Sequence, residues 1–463
     1  MRKAIIIIGG GPLGVNTVTW AKELGFFTIV TDRNRKAPGL KLADLPVPLA
    51  GDDIQGQLIS ALGCAEKYDV AGIYCANDFG LLTVSVVSTA LGLPTNSLDA
   101  TVRALDKRLM KERWLTSGVL TPQSIFVTSD GETKTALGKV GLPAIIKPVD
   151  NSGSEGVEAI LKPEDQVGAY LRAASFSSNR QGALIEQLVQ GRAIDANGLF
   201  IDGKFYGCGV LEKHFTPFPH RLPICGYDPA PLEREKWDEV YSTLERACRA
   251  LGIIHGPVKG DFVMTKEGIE VLEVTPRFHG DVTTSNTLPY ASGINPVKAY
   301  FKFLSSGHLE LELLKPQNKP LACWRVICLP PGKIRKISGI RKAMEVNGIT
   351  KIFLRIREGS TIGGYRNTGE IPGYICAFGQ NTLDLESVFR QAFHAMRFEM
   401  ERSSNGDALE SHEELILEIE RNGWNPEGFG ALLQGNGRRG TPRHGTKTKP
   451  RGDRKTPIKS RRV

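Results

Sequence analysis

The sequence lacks a CxxC pair, an apolar run long enough to cross a bilayer, and any internal repeat. Its eight cysteines are scattered. Cys323 and Cys328 come closest to one another, but no His or Cys cluster follows to complete a zinc set, so a structural zinc site is excluded. Buried free thiols in a reducing cytoplasm are the expectation. The apolar residues 4–8 begin like a signal peptide, but Gly9-Gly10-Gly11 ends them too early for one. Residues 79–98 carry no charge, yet Thr, Ser, Pro94 and Asn96 interrupt them, which argues against a membrane span. A cytoplasmic protein without membrane contact is expected.

What is present points to a large soluble chain. At 463 residues it is too long for one ordinary domain. With 41% hydrophobic and 24% charged residues it is neither fibrous nor wholly disordered. The formal charge of +9 is unevenly placed. Residues 436–463 hold eleven Lys and Arg against one Asp, a net of +10, so the rest of the chain is close to neutral. That tail has almost no apolar residues and is not expected to fold alone. It has no aromatic residue to stack a base, so only non-specific contact with polyanions is expected of it.

Residues 3–8 form a β-branched run without polar alternation, as in a strand buried on both faces. A helical pattern to Leu24 follows, then strands at 26–30 and 70–75, and a helical stretch to Leu91. Strands alternating with helices predict a parallel α/β layer. A charged helix is expected over 98–118, strands over 143–149 and 183–189, and an amphipathic helix over 237–251. Strands over 260–264 and 269–275 are joined by the turn Lys266-Glu267-Gly268. Residues 321–378 read as strand-like, 385–400 as a helix, and about 408–421 as an acidic amphipathic helix.

Three constellations could carry chemistry. The first is Gly9-x-Gly11-x-x-Gly14 after a strand, with Asp32 ending the next strand, which matches the dinucleotide fingerprint. Any βαβ unit needs glycines where the chain turns under a helix, so a purely structural turn, or another small ligand at that helix N-terminus, is an equal reading. The second is Asp261 and Glu273 on consecutive strands. Strand alternation places Glu273, Thr275 and Arg277 on one face and Glu270 and Leu272 on the other. Two carboxylates plus an arginine suit a hard cation bridging phosphate oxygens, although a surface salt bridge gives the same pattern. The third is Lys147 at the end of a buried strand, followed by Ser152-Gly153-Ser154-Glu155-Gly156, whose backbone N–H groups could grip a polyphosphate.

Together these pieces resemble the ATP-grasp superfamily, specifically its carboxylate–amine ligases. The order agrees across residues 1 to about 400: a glycine-rich α/β region, Leu105-Asp106-Lys107-x-x-x-Lys111, Ile146-Lys147-Pro148 with the loop to Gly156, Ile185-Glu186-Gln187-Leu188-Val189, and Asp261 with Glu273-Val274-Thr275-Pro276-Arg277. The resemblance implies an ATP-grasp fold with an N-terminal Rossmann-like domain and a C-terminal α+β subdomain. The implied segments are 1–97 for the N-terminal α/β domain and 98–188 for the central subdomain with its phosphate-binding flap. Segment 189–317 would be the subdomain with the metal site, 318–402 a closing α+β subdomain, and 403–463 a helix with the basic tail.

By the same resemblance Lys107 and Lys147 would hold the inner phosphates, with Ser152, Gly153, Ser154 and Gly156 as the flap. Glu186 and the backbone of Gln187 to Val189 would take the adenine edge. The family's ribose glutamate position is Ala193, and Asp195 would substitute. Asp261 and Glu273 would ligate magnesium, or manganese as an alternative, with Thr275 where asparagine is usual. Arg277 would meet the transferred phosphoryl group, and Gly11, His214 and His279 would face substrate. The implied reaction joins a carboxylate, of an amino acid or other small acid, to an amine through an acyl phosphate, releasing ADP and phosphate. Bicarbonate-dependent carboxylation and NAD(P)-dependent oxidoreduction through the Gly9 loop are the alternatives. A homodimer is an admissible assembly.

Overall fold

A parallel sheet opens the chain in the computed structural model, which describes residues 1–178, 182–215, 222–317, 320–363 and 367–401. Its strand order is Leu45–Val47, Phe27–Thr31, Lys3–Ile8, Asp69–Cys75. Beyond the exposed Lys3 the strand is apolar and buried, because both faces are covered. Ile5 and Ile7 pack with Val18, Tyr74 and Phe301, whereas Ala4, Ile6 and Ile8 pack with Ala61 and Val87. The Rossmann-like expectation holds.

A four-stranded antiparallel sheet follows, ordered Ser124–Val127, Ala183–Gln187, Ala144–Pro148, Glu158–Ile160, with helices Asp130–Val140 and Gln166–Ser175 packed on it. The helix expected over 98–118 is two helices, Leu98–Leu105 and Lys107–Thr116. Asp106 leaves the helical conformation, and its carboxylate caps the second helix by accepting from the Arg108 and Leu109 N–H groups at 2.8 and 3.1 Å. The break starts a new helix at Lys107, whose N–H donates to Val149 O at 2.7 Å and ties it to the strand carrying Lys147.

An eight-stranded sheet is the largest layer, ordered Ile269–Thr275, Gly256–Met264, Arg192–Ile201, Lys204–Phe215, Pro223–Asp228, Leu321–Ile327, Gly373–Gly379, Ile349–Leu354. It takes strands from both sides of the boundary expected at 317/318, so that boundary does not separate two sheets. Helix Arg234–Leu251 covers one face of the first strands through Val240, Leu244 and Leu251. The helix expected over 385–400 is Thr382–Ala395, capped by Asn381, and the chain then turns into strand Arg397–Met400. All eight cysteines are buried and free. No helix among the described residues is long and apolar enough to cross a membrane. The helix expected near 408–421 and the basic tail lie outside the described residues.

Candidate functional site

Asp195, Asp261 and Glu273 are direct cross-strand partners on three adjacent strands of the large sheet. Like charges placed opposite one another repel, and lysines are interleaved among them. Lys259 Nζ lies 2.8 Å from Asp261 Oδ2, while Lys213 pairs with Asp195 and comes within 3.9 Å of Asp281. His279 closes the group, with Nε2 2.9 Å from Asp195 Oδ2 and 3.5 Å from Asp261 Oδ1. Burial pushes the Asp261 carboxyl up, but Lys259, His279 and Lys213 outweigh it and hold it well below the usual carboxylate range. Two oxygens here, Asp261 Oδ1 and Thr275 Oγ1, are buried without a hydrogen-bond partner.

The facing of this edge differs from simple alternation. A bulge pairs Asp261 with Glu273 and the next residue, Phe262, with Val271, leaving Leu272 without a partner. Val271 and Val274 therefore both enter the core, although they stand three positions apart. Leu272 and Glu273 are both half-buried on the open side. Glu270, expected to turn away from the site, instead feels Lys111 and Glu186. The extra residue is the physical reason: it reverses the alternation beyond it.

The second cluster lies on the smaller antiparallel sheet. Glu186 is shared by two buried lysines, with Oε2 2.6 Å from Lys111 Nζ and Oε1 2.9 Å from Lys147 Nζ. Burial raises the Glu186 pKa, but the two lysines outweigh it and bring it below the ordinary value. Burial lowers Lys111 to about 8 despite Glu186. The carboxylate expected to take the adenine edge is thus fully engaged. The Gln187 and Leu188 N–H groups are engaged too, donating to Gln123 O at 2.8 Å and Pro143 O at 3.3 Å. Asp195 likewise is no free ribose ligand, because Lys213 and His279 occupy its carboxylate.

Lys107 joins the two clusters. Its Nζ donates to Asn151 O in the flap at 2.7 Å and lies 3.7 Å from Glu273 Oε2. In the flap, Gly153 and Gly156 adopt φ of +71° and +73°, and Ser154 reaches +61°. A Cβ on Gly156 would meet Pro148 and Phe176 at 2.8–2.9 Å, so glycine is required there. The Gly153 carbonyl accepts from both Thr368 N–H and Thr368 Oγ1, at 3.1 and 3.0 Å, so the loop is clasped from the far end of the chain. Ser152 is half-buried and donates its N–H to Asn151 Oδ1.

Two sequence expectations are displaced. His214 points away from the acid ladder, edge-on to Tyr227 at 5.6 Å, and burial lowers its pKa. Its neighbour Lys213 takes the facing position because successive strand residues alternate. The Gly9–Gly14 loop is committed to packing. Gly39 N–H donates to Gly10 O at 2.7 Å, and a Cβ on Gly39 would lie 2.7 Å from Gly10 Cα. Asp32, the acid a nicotinamide ribose would need, accepts from the Gly10 and Asn34 N–H groups, both at 2.8 Å. The oxidoreductase reading loses its ribose ligand. Gly11 alone of the loop glycines faces open space.

The ATP-grasp domain family matches residues 140–286, which hold Lys147, Glu186, Asp261, Glu273 and Arg277. Residues 140–286 are an ATP-grasp domain. A second family, L-amino acid ligase C-terminal domain 2, matches residues 325–401. An uncharacterised Sinorhizobium fredii protein, y4rH, is 24% identical over 334 residues, which cover 72% of this chain and 68% of that one. The crystal structure of L-amino acid ligase from Bacillus licheniformis shares the fold with a TM-score of 0.72 at 18% identity, covering 87% of this chain and 100% of that chain. The biotin carboxylase domain dimer of Hydrogenobacter thermophilus 2-oxoglutarate carboxylase, crystallised with MgADP and bicarbonate, gives 0.70 at 15% identity, over 94% and 97%.

Several residues of this site escaped sequence reasoning. Lys259 shares a strand face with Asp261 two residues on, and Lys213 shows the same alternation, so both were legible in principle. Lys111 was visible only as part of a spacing. Asp78, which grips Arg277, had no local signal because 199 residues separate the pair.

Proposed function

We propose that this chain is an ATP-grasp ligase that releases ADP, activates the carboxylate of an amino acid or a similar small acid as an acyl phosphate, then couples it to an amine. The observation that carries the amino-acid class is the L-amino acid ligase domain at residues 325–401, lying beyond the ATP-grasp domain itself. Lys107 and Lys147 would neutralise the inner phosphates, the flap would exclude water from the acyl phosphate, and Arg277 would meet the departing γ-phosphoryl group. Three oxygen donors fit a hard divalent cation: the half-buried Glu273 carboxylate and the unpartnered Asp261 Oδ1 and Thr275 Oγ1. Magnesium bound there, or manganese, would supply charge neutralisation on the triphosphate. The alternative trio Asp195, Asp261 and His279 has its ligand atoms within 4.8 Å, but Lys213 already neutralises Asp195.

The mechanism requires ADP and phosphate as products. Hydroxylamine should trap the activated acid as a hydroxamate, only with Mg-ATP and the cognate acid present. Release of AMP and pyrophosphate would refute the reading. ADP release driven by bicarbonate, with no amine-dependent product, would favour the carboxylase instead.

A further inference from the structure

Arg277 does not stand free in the site. Its Nε and Nη2 donate to the two carboxylate oxygens of Asp78 at 2.6 and 2.7 Å, and its Nη1 donates to Phe278 O at 3.1 Å. Both side chains are about nine-tenths buried, at 10% and 14% exposure. Asp78 belongs to the N-terminal α/β domain, immediately after strand Asp69–Cys75, and Asn77 caps the turn that presents it by accepting from the Gly80 N–H. The two segments are seated closely, since a Cβ on Gly280 would lie 2.2 Å from Ala76 O. A guanidinium carries five N–H donors in one plane. Asp78 takes the Nε–Nη2 edge and Phe278 one Nη1 proton, which leaves one N–H on each terminal nitrogen, that of Nη2 on the outer edge. Asp261 and Glu273 are close enough to act on this charge.

We infer that Asp78 is a positioning residue for phosphoryl transfer: it fixes the guanidinium plane of Arg277 so that the outer N–H edge faces the metal-side carboxylates, where the γ-phosphoryl group would sit. The N-terminal domain then supplies part of the ATP-splitting geometry, although it holds none of the phosphate-binding lysines. This rests on the phosphoryl role proposed for Arg277. A bidentate grip permits neither rotation about the last side-chain bonds nor withdrawal of the charge, and a misplaced group of this kind costs about 10- to 100-fold in rate.

The test uses the full chain and hydroxamate trapping, with kcat and the KM for ATP measured separately and thermal melting recorded for each variant. Asp78→Asn should lower kcat about 10- to 100-fold with the KM for ATP within about twofold, and Asp78→Glu should recover part of the loss. The Asp78→Asn/Arg277→Ala pair should be no slower than Arg277→Ala alone. If Asp78→Asn turns over like the wild type while Arg277→Ala does not, the positioning role is wrong although the phosphoryl role stands. Wild-type trapping by Arg277→Ala would instead sink the phosphoryl role. Additive losses in the pair would mean that Asp78 acts independently of Arg277, which also overturns the inference. Should Asp78→Asn fail to fold, Arg277→Lys keeps the charge but cannot be held by two parallel bonds. It should lose kcat to a similar extent, and an unchanged kcat would overturn the inference.

Discussion

The lysine cluster around Glu186 and the acid ladder around Asp261 both bury charge on antiparallel strands, yet they are built with opposite surpluses. On the smaller sheet one carboxylate is shared by two lysines, so positive charge is left over once the pairs are counted. On the larger sheet Asp195, Asp261, Glu273 and Asp281 face Lys213, Lys259 and His279, and two acid-side oxygens still lack partners. Buried charge without a full set of partners is costly. An anion would complete the first cluster and a cation the second, and the proposed metal–triphosphate complex would present both at once. Lys107, reaching both the flap and Glu273, spans the gap between them.

The contrast can be broken most severely on the acid side. Asp261→Asn or Glu273→Gln should cut ADP release by about 10²–10³-fold, the scale of losing one preorganised electrostatic contact. The melting temperature of Glu273→Gln should change little, because Glu273 is half-buried and its nearest cation stands 3.7 Å away, whereas Asp261→Asn also leaves Lys259 without the charge 2.8 Å from it and should melt lower. Circular dichroism melts beside an ADP assay check both halves.

Glu186→Gln should do the reverse in its first effect. It leaves Lys111 and Lys147 buried without their shared counter-charge, a change that destabilises by about 3–5 kcal/mol. Denaturant unfolding measures it directly. Equal destabilisation by Glu273→Gln would erase the distinction between the clusters.

Lys111 gives a pH test of the same cluster. Its folded pKa, about 8, lies below the ordinary 10.5, so between these values the folded protein has shed a proton that the unfolded chain still binds. Stability contributed by this group must therefore rise with pH across that window, and it is lowest below pH 8. Lys111→Met should remove this rise, so the difference between wild-type and variant unfolding free energies should grow from pH 8 to 10.5. A flat difference would show that Lys111 is not desolvated. The smallest expected effect is at the flap. Thr368→Val removes one hydrogen bond to Gly153 and keeps the backbone one, so acid-independent ATP hydrolysis should rise by no more than about threefold.

The sequence by itself determined what depends on local pattern. The β-branched run 3–8 could only be a strand buried on both faces, and the order of lysines, glycine loop, hinge and paired acids was enough to expect the ATP-grasp fold and to put Asp261 and Glu273 on consecutive strands. Alternation failed at Leu272, since a bulge depends on how the partner strand twists and leaves no mark in one strand's own sequence. The most visible motif, Gly9 to Gly14, also misled: its glycines answer to the close approach of Gly39, and Asp32 serves backbone amides. Only the tertiary structure decided which charges meet. Glu186 between Lys111 and Lys147, Asp195 beside His279, and Asp78 on Arg277 join residues 39 to 199 positions apart. Residue type fixes that a buried charge needs a counter-charge, but chain folding alone determines which one arrives.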